Sequence, residues 1–128
     1  MKLLLDTHIF IWWADQPERL SQAALSALED EANELLLSVA SVWEMQIKIQ
    51  LGKLKLGLPL KDLIKNQQET NELTVLPIAL THVLALDALP FHHKDPFYRL
   101  LMAQSIEEDL TLVSADLQFS AYSVKLLQ

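Results

Sequence analysis

Short runs of apolar residues alternate along this chain with longer stretches in which apolar residues recur every three or four positions. Five of the short runs predict buried β-strands, at residues 3–5, 35–37, 74–76, 111–113 and 124–127. Short apolar strands that alternate with helices are typical of a parallel sheet covered on both faces. The pattern therefore predicts an α/β fold, in which ligands gather at the carboxyl ends of the strands.

Helices are predicted between these strands, and several of their ends carry recognisable signals. Ser21 is a typical N-cap residue for the apolar positions that follow it. Apolar residues at intervals of four predict a helix over residues 38–51, with Gly52 as its stop: Val39, Trp43, Ile47 and Leu51. Asp95 followed by Pro96 is a strong helix start. Further helices are predicted after Pro59 and around residues 80–84.

The composition narrows the class of protein. The chain has 128 residues, 51% of them apolar, and we expect one domain over residues 1–128. It has no cysteine, which excludes disulfides, thiolate zinc sites and cysteine nucleophiles. No apolar run approaches the roughly 18–20 residues of a membrane span, so we expect a cytoplasmic protein. The net charge of −7 means that any contact with nucleic acid needs a local basic patch or a bound metal.

Four acidic residues fall at or near predicted strand ends or in the helices beside them. Asp6 directly follows the first strand, and Asp116 follows the strand at 111–113. Glu44 lies in the helix after the second strand, and Asp95 opens the helix before the fourth. Carboxylates brought together repel each other unless a cation lies between them, and oxygen ligands suit Mg²⁺ or Mn²⁺. Such a site is typical of metal-dependent nucleases and phosphatases.

Each acid also has a purely structural interpretation. Asp6 would end its strand in an Asx-turn, and Asp116 would be a turn residue. Glu44 has the spacing of a capping box with Ser41 and of an i,i+4 pair with Lys48. Asp95 is adequately explained as an N-cap.

A basic side chain near this predicted cleft is a candidate phosphate ligand. Arg99 follows the predicted helix start at Asp95 and Pro96, and its guanidinium is suited to hold a phosphate. The alternative is a surface ion pair or packing of its aliphatic stem.

The combination of short motifs resembles a known family, the PIN-domain toxins of VapC type. The resemblance covers nearly the full chain and rests on these segments: Met1 to His8, Ser38 to Glu44 with Lys48 and Gly52 to Leu54, Leu89-Pro90, His93 to Phe97, Arg99 to Gln104, Leu112 to Asp116, and Phe119 to Tyr122. It implies a three-layer α/β/α sandwich with a short parallel sheet. It also implies an endoribonuclease dependent on Mg²⁺ or Mn²⁺, acting as the toxin of a type II toxin–antitoxin system.

The resemblance also implies partners and roles for single residues. It implies a homodimer, an RNA substrate and a small antitoxin of VapB type that blocks the acidic cleft. The family's first, second and last acids fall on Asp6, Glu44 and Asp116, and the hydroxyl that precedes the last acid falls on Ser114.

The sequence departs from this family pattern at Tyr98. The related pattern has an aspartate there, which is the third metal ligand, whereas the phenol is neutral at pH 7. Asp95 lies three residues earlier and is a candidate substitute ligand. A weakened metal site is therefore expected, and the alternative function is a degenerate PIN module that binds antitoxin or RNA with little or no cleavage.

Overall fold

The computed structural model describes residues 1–128, apart from the side chain of Leu117. Five parallel strands form one sheet in the order β3-β2-β1-β4-β5. Their bounds are β1 Lys2–Leu5, β2 Glu34–Ser38, β3 Thr74–Leu76, β4 Thr111–Val113 and β5 Lys125–Leu127. All five predicted strands are confirmed, and each differs from its apolar run by no more than one residue at either end.

Six α-helices connect or flank these strands. Their bounds are α1 Thr7–Asp15, α2 Gln22–Glu29, α3 Val39–Gln50, α4 Leu60–Asn71, α5 Leu80–Ala85 and α6 Pro96–Glu107. Ser21 caps α2 by accepting a hydrogen bond from the Ala24 backbone N–H, as predicted. Gly52 follows α3 with φ 73°, a left-handed conformation that favours glycine after a helix end. The predicted N-cap at Asp95 is also confirmed.

The two faces of the sheet pack into two separate apolar clusters. Successive side chains of a strand point to opposite faces, so Leu3 and Leu5 enter one cluster and Leu4 enters the other. The first cluster also contains residues of α1 to α4, such as Phe10 and Met45. The second contains residues of α6 together with Phe119 and Tyr122. This arrangement is the three-layer α/β/α sandwich that the sequence predicted.

The strand order places the carboxyl ends of three strands side by side. The central strand β1 pairs with β2 on one side and with β4 on the other, and Leu5 aligns with Leu37 and Val113. The chain therefore leaves β1, β2 and β4 side by side at their carboxyl ends. The strand order reverses between β1 and β4, which makes this end of the sheet a topological switch point. Parallel sheets commonly bind ligands at such a point. Within the described part of the chain, no helix is both long and apolar enough to cross a membrane.

Candidate active site

Asp6 lies at the carboxyl end of β1 and precedes the first residue of α1. Its side chain makes no cap bond to that helix; its Oδ2 instead accepts a hydrogen bond from Ser114 Oγ at 2.8 Å. Burial raises the pKa of the Asp6 carboxyl, while the Ser114 hydroxyl, His8 and the Thr7 backbone N–H act to lower it. The carboxylate is thus held in a partly desolvated place that disfavours its negative charge.

Ser114 connects Asp6 to Asp116. Its hydroxyl donates to Asp6 and accepts from the backbone N–H of Asp116 at 3.0 Å. Asp116 Oδ1 also accepts from the Gln118 backbone N–H at 2.9 Å, which begins the 3₁₀ turn over residues 117–121. The turn interpretation of Asp116 is therefore confirmed. A carboxylate has two oxygens, so this capping bond is compatible with a second task.

Glu44 lies on α3 and is tied to the start of α1. Its Oε1 accepts a hydrogen bond from Thr7 Oγ1 at 2.7 Å, and its Oε2 pairs with Lys48 Nζ at 3.3 Å. Its negative charge is one of the causes that raise the pKa of Asp6. The predicted pair with Lys48 is confirmed. The one signal for Thr7 in the sequence is that its hydroxyl follows the first acid directly.

The capping-box interpretation of Glu44 is wrong. Helix α3 begins at Val39, and Ser38 is its N-cap, accepting from the Ala40 backbone N–H at 3.0 Å. Ser41 therefore lies inside the helix, where its buried hydroxyl has no hydrogen-bond partner among the described residues. Because the helix starts three residues earlier, the Glu44 carboxylate does not cap α3 and instead bonds to Thr7 and Lys48.

Tyr98 occupies the position where the family pattern has its third acid. Its ring is stacked between His93 at 4.0 Å and Phe119 at 3.8 Å, with both pairs of rings nearly parallel. Its hydroxyl is buried and has no hydrogen-bond partner among the described residues. Burial raises the pKa of Tyr98, and the negative charges of Asp116 and Asp6 raise it further. The phenol therefore stays neutral beside both carboxylates.

The structure assigns Asp95 to helix capping. Its Oδ1 accepts from the backbone N–H groups of Phe97 at 2.9 Å and Tyr98 at 3.4 Å. In the described part of the chain, no hydrogen bond connects Asp95 to Asp6, Glu44 or Asp116. The capping interpretation of Asp95 is thus confirmed, and the role of a substitute ligand stays a prediction because a carboxylate has a second oxygen.

Arg99 is placed away from the cleft, which corrects its predicted role as a phosphate ligand. Its guanidinium donates to the backbone carbonyls of Pro90, Leu86 and Leu89, and it lies over the ring of Phe91 at 4.0 Å. The side chain is buried. The guanidinium is thus engaged by the segment at residues 86–90 that precedes α6.

The acids share one edge of the sheet, but they do not form a closed cage. In the described part of the chain, no three His, Cys, Asp or Glu side chains come close enough together to hold one ion. The structure instead joins Asp6 and Asp116 through Ser114, joins Glu44 to Thr7, and places Tyr98 near both aspartates.

A cavity of about 840 Å³ lies elsewhere on the molecule. It is lined by Trp13 of α1, by the connection from α2 to β2, which includes Asp30, and by the end of α4. None of the residues joined by the bonds described above lines it. Because it opens at the amino end of β2, it lies opposite the edge where parallel sheets usually bind ligands.

Comparisons with known proteins agree with this fold. The PIN domain family matches residues 3–125. Ribonuclease VapC22 of Mycobacterium tuberculosis is 32% identical over 116 residues, which cover 89% of this chain and 86% of the relative.

Solved structures share the same fold. VapBC2 from Rickettsia felis, bound to a DNA fragment from its promoter, has a TM-score of 0.76 at 17% identity and covers 99% of this chain and 98% of that one. FitAcB from Neisseria gonorrhoeae has a TM-score of 0.64 at 16% identity and covers 98% and 96%.

The all-parallel sheet and the carboxylates at its carboxyl edge define an α/β protein of the PIN class. The chain belongs to the PIN-domain family, and within that family it is of the VapC type. The resemblance seen in the sequence is thereby confirmed.

Proposed function

We propose that this chain is the toxin of a type II toxin–antitoxin system and that it cleaves RNA phosphodiester bonds with the help of a divalent metal ion. The observation that carries the proposal is the bond from Ser114 to Asp6, which holds two acids from separate strands at one point of the cleft. The likeness to a curated VapC ribonuclease supports RNA as the substrate.

The chemistry of the donor set fits Mg²⁺ or Mn²⁺. Asp6 is a partly desolvated carboxylate, and a cation beside it would relieve the destabilisation that raises its pKa. Mg²⁺ in nucleotide enzymes commonly uses only one or two carboxylates and keeps several waters. Asp6 and Asp116 would hold the ion and Glu44 would reach it through water, so a cage of three acids is not required. Asp95 is proposed only as a substitute ligand, through its second carboxylate oxygen, because its Oδ1 caps α6.

The side chains of this chain have separate tasks in the proposed reaction. When bound, the ion supplies a site that activates water and neutralises charge on the phosphoryl oxygens. Ser114 orients Asp6, and Thr7 orients Glu44, because each hydroxyl donates to one oxygen of its carboxylate. Lys48 offsets the charge of Glu44 and is a local cation at the edge of an otherwise acidic protein.

The proposal includes the partners of such a toxin. The similar structures include VapBC complexes, which supports a small antitoxin of VapB type as the partner of this chain. A homodimer is proposed from the family resemblance. A cytoplasmic location follows from the proposed RNA substrate and antitoxin.

Cleavage of single-stranded RNA by the purified chain tests this function. We expect cleavage with Mg²⁺ or Mn²⁺ and none with EDTA. The Asp6→Asn variant should lose cleavage, while Asp15→Asn, at the far end of α1, serves as the matched control and should retain it. Cleavage that persists in EDTA, or that is equal in wild type and Asp6→Asn, would contradict the proposal.

A second candidate function is a degenerate PIN module that binds antitoxin or RNA and cleaves little or not at all. Tyr98 favours it, because a neutral phenol stands where the family pattern has an acid. Growth arrest on induction distinguishes the two functions. Arrest that depends on Asp6 supports the nuclease, whereas a native sequence that causes no arrest supports the degenerate module.

A further inference from the structure

An exposed tryptophan packs against a half-buried phenylalanine on the two helices that border the proposed site. The Trp43 side chain is 58% exposed, although Trp is usually largely buried in a folded protein. The edge of its indole meets Phe97 at a centroid distance of 5.2 Å and an interplanar angle of 75°. Phe97 is half-buried on α6, so the contact fixes the position of the indole while much of its surface stays open to solvent.

The position of this pair links it to the catalytic edge. Trp43 immediately precedes Glu44 on α3, and Phe97 immediately precedes Tyr98 on α6. Neighbouring helix residues differ by a rise of about 1.5 Å and about a quarter of a turn. The pair therefore joins the two helices that carry Glu44 and Tyr98, and each ring belongs to the residue next to one of them.

The charge of the protein argues for a nucleobase as the occupant. With a net charge of −7, the chain has little long-range attraction for the phosphate backbone of RNA. Arg99, the arginine nearest to the site in the sequence, is buried on backbone carbonyls. Stacking on an exposed aromatic ring is a way to bind single-stranded nucleic acid that does not depend on positive charge.

We propose that Trp43, fixed by Phe97, stacks on an unpaired base of the substrate next to the scissile phosphate. This inference rests on the proposed ribonuclease function and specifies its substrate as single-stranded RNA. A base inside a duplex already stacks on its neighbours and is not available to the indole, so duplex RNA of the same sequence should gain nothing from Trp43.

The test compares variants of the full chain in binding and in cleavage. Binding is measured in the Asp6→Asn background with a short single-stranded RNA, and kcat/KM is measured with Asp6 intact. We expect Trp43→Leu to weaken both by about tenfold, the usual effect of losing one stacked base. Trp43→Phe keeps an aromatic ring and should stay within about threefold of the parent. Leu80→Ala removes an apolar side chain of 72% exposure from α5 and should change neither.

Tryptophan fluorescence provides a readout that a merely structural role would not change. RNA should quench the emission of the parent, and Trp43→Phe should lose most of this quenching while Trp12 and Trp13 still emit. Unchanged affinity in Trp43→Leu, or quenching that persists in Trp43→Phe, would overturn the proposal. If Trp43→Leu binds RNA with unchanged affinity but a co-expressed antitoxin no longer relieves its growth arrest, the aromatic pair binds a protein partner. That result would also overturn the stacking proposal.

The proposed function can fail separately from this inference. If the wild-type chain cleaves RNA and Trp43→Leu cleaves it equally well, only the stacking proposal falls. If the wild-type chain neither binds nor cleaves single-stranded RNA, the ribonuclease function falls and the stacking proposal falls with it.

Discussion

Ser114 Oγ lies 2.8 Å from Asp6 Oδ2, although 108 residues separate the two along the chain. The parallel pairing of β1 with β4 brings them together. Leu5 aligns with Val113, so the residues that follow them, Asp6 and Ser114, lie side by side at the carboxyl end of the sheet. The same hydroxyl accepts the backbone N–H of Asp116, so one serine sets the positions of two acids.

The first prediction concerns this hydroxyl. Ser114→Ala should reduce RNA cleavage by about 10- to 100-fold, the usual effect of losing a group that orients a metal-binding carboxylate. It should also lower the free energy of unfolding by about 1–3 kcal/mol, because a buried backbone N–H and a carboxylate lose their partner. Ser26→Ala, an exposed control, should change neither quantity. Cleavage by Ser114→Ala at the wild-type rate would remove Ser114 from the site.

The second prediction concerns the charge of Asp6. Because burial raises its pKa in the folded state, the folded protein binds a proton more readily than the unfolded chain does. In the absence of metal, Asp6 should therefore destabilise the protein at neutral pH. This destabilisation should shrink as the pH falls through the raised pKa and vanish below the pKa of the unfolded chain. Asp6→Asn should raise the free energy of unfolding in EDTA at pH 7 by on the order of 1 kcal/mol.

Metal should reverse this order of stability. Saturating Mn²⁺ should stabilise the wild-type protein, because a ligand that binds only the folded state shifts the equilibrium toward it, and it should leave Asp6→Asn unchanged. Thermal melting at several pH values with and without Mn²⁺ measures both effects. A less stable Asp6→Asn in EDTA would show that the carboxylate is not destabilising.

The third prediction concerns the unpartnered hydroxyl of Tyr98. Tyr98→Phe keeps the stack between His93 and Phe119 and removes a buried group that has no hydrogen bond within the described structure. The free energy of unfolding should not fall, and it should rise by up to about 1 kcal/mol. Tyr122→Phe is the matched control: the Tyr122 hydroxyl accepts from the His93 backbone N–H at 2.9 Å, so its loss should destabilise by about 1 kcal/mol. Chemical denaturation measures both variants, and a marked loss in Tyr98→Phe would contradict this account of the hydroxyl.

The fourth prediction concerns the missing acid. Tyr98→Asp restores a carboxylate near Asp6 and Asp116, whose charges already act on Tyr98. Calorimetric titration should show Mn²⁺ binding that is tighter by about tenfold or more, since a further anionic ligand strengthens an oxygen site. Equal Mn²⁺ affinity in the wild type and Tyr98→Asp would refute the idea that Tyr98 weakens the site.

The sequence predicted the sheet and the helix ends well because their signals are local. A short apolar run is itself the strand, and the side chains of Ser21 and Asp95 accept from backbone N–H groups two or three residues further on. The stripe of apolar residues correctly predicted α3, but it did not identify the face that packs. Trp43 is exposed, whereas the small residues Ala40 and Ser41 are buried, since a helix that packs closely needs small side chains.

The site was less predictable because its contacts join distant parts of the chain. The Arg99 side chain points toward the backbone carbonyls of residues 86–90, and the position of these carbonyls cannot be inferred from residue spacing. The bond from Thr7 to Glu44 requires α1 and α3 to start at the same edge of the sheet. Asp95 is mainly an N-cap signal in the sequence, and the backbone N–H groups of Phe97 and Tyr98 beside its carboxylate confirm that interpretation.

A crystal structure of the protein soaked in Mn²⁺ tests the central claim most directly. The account predicts an anomalous density peak at the carboxyl edge of β1, β2 and β4, with an oxygen of Asp6 at about 2.0–2.2 Å and Asp116 or Glu44 reaching the same ion directly or through water. An ion bound at another place, or no peak at this edge under saturating Mn²⁺, would contradict the claim that these acids form a metal centre.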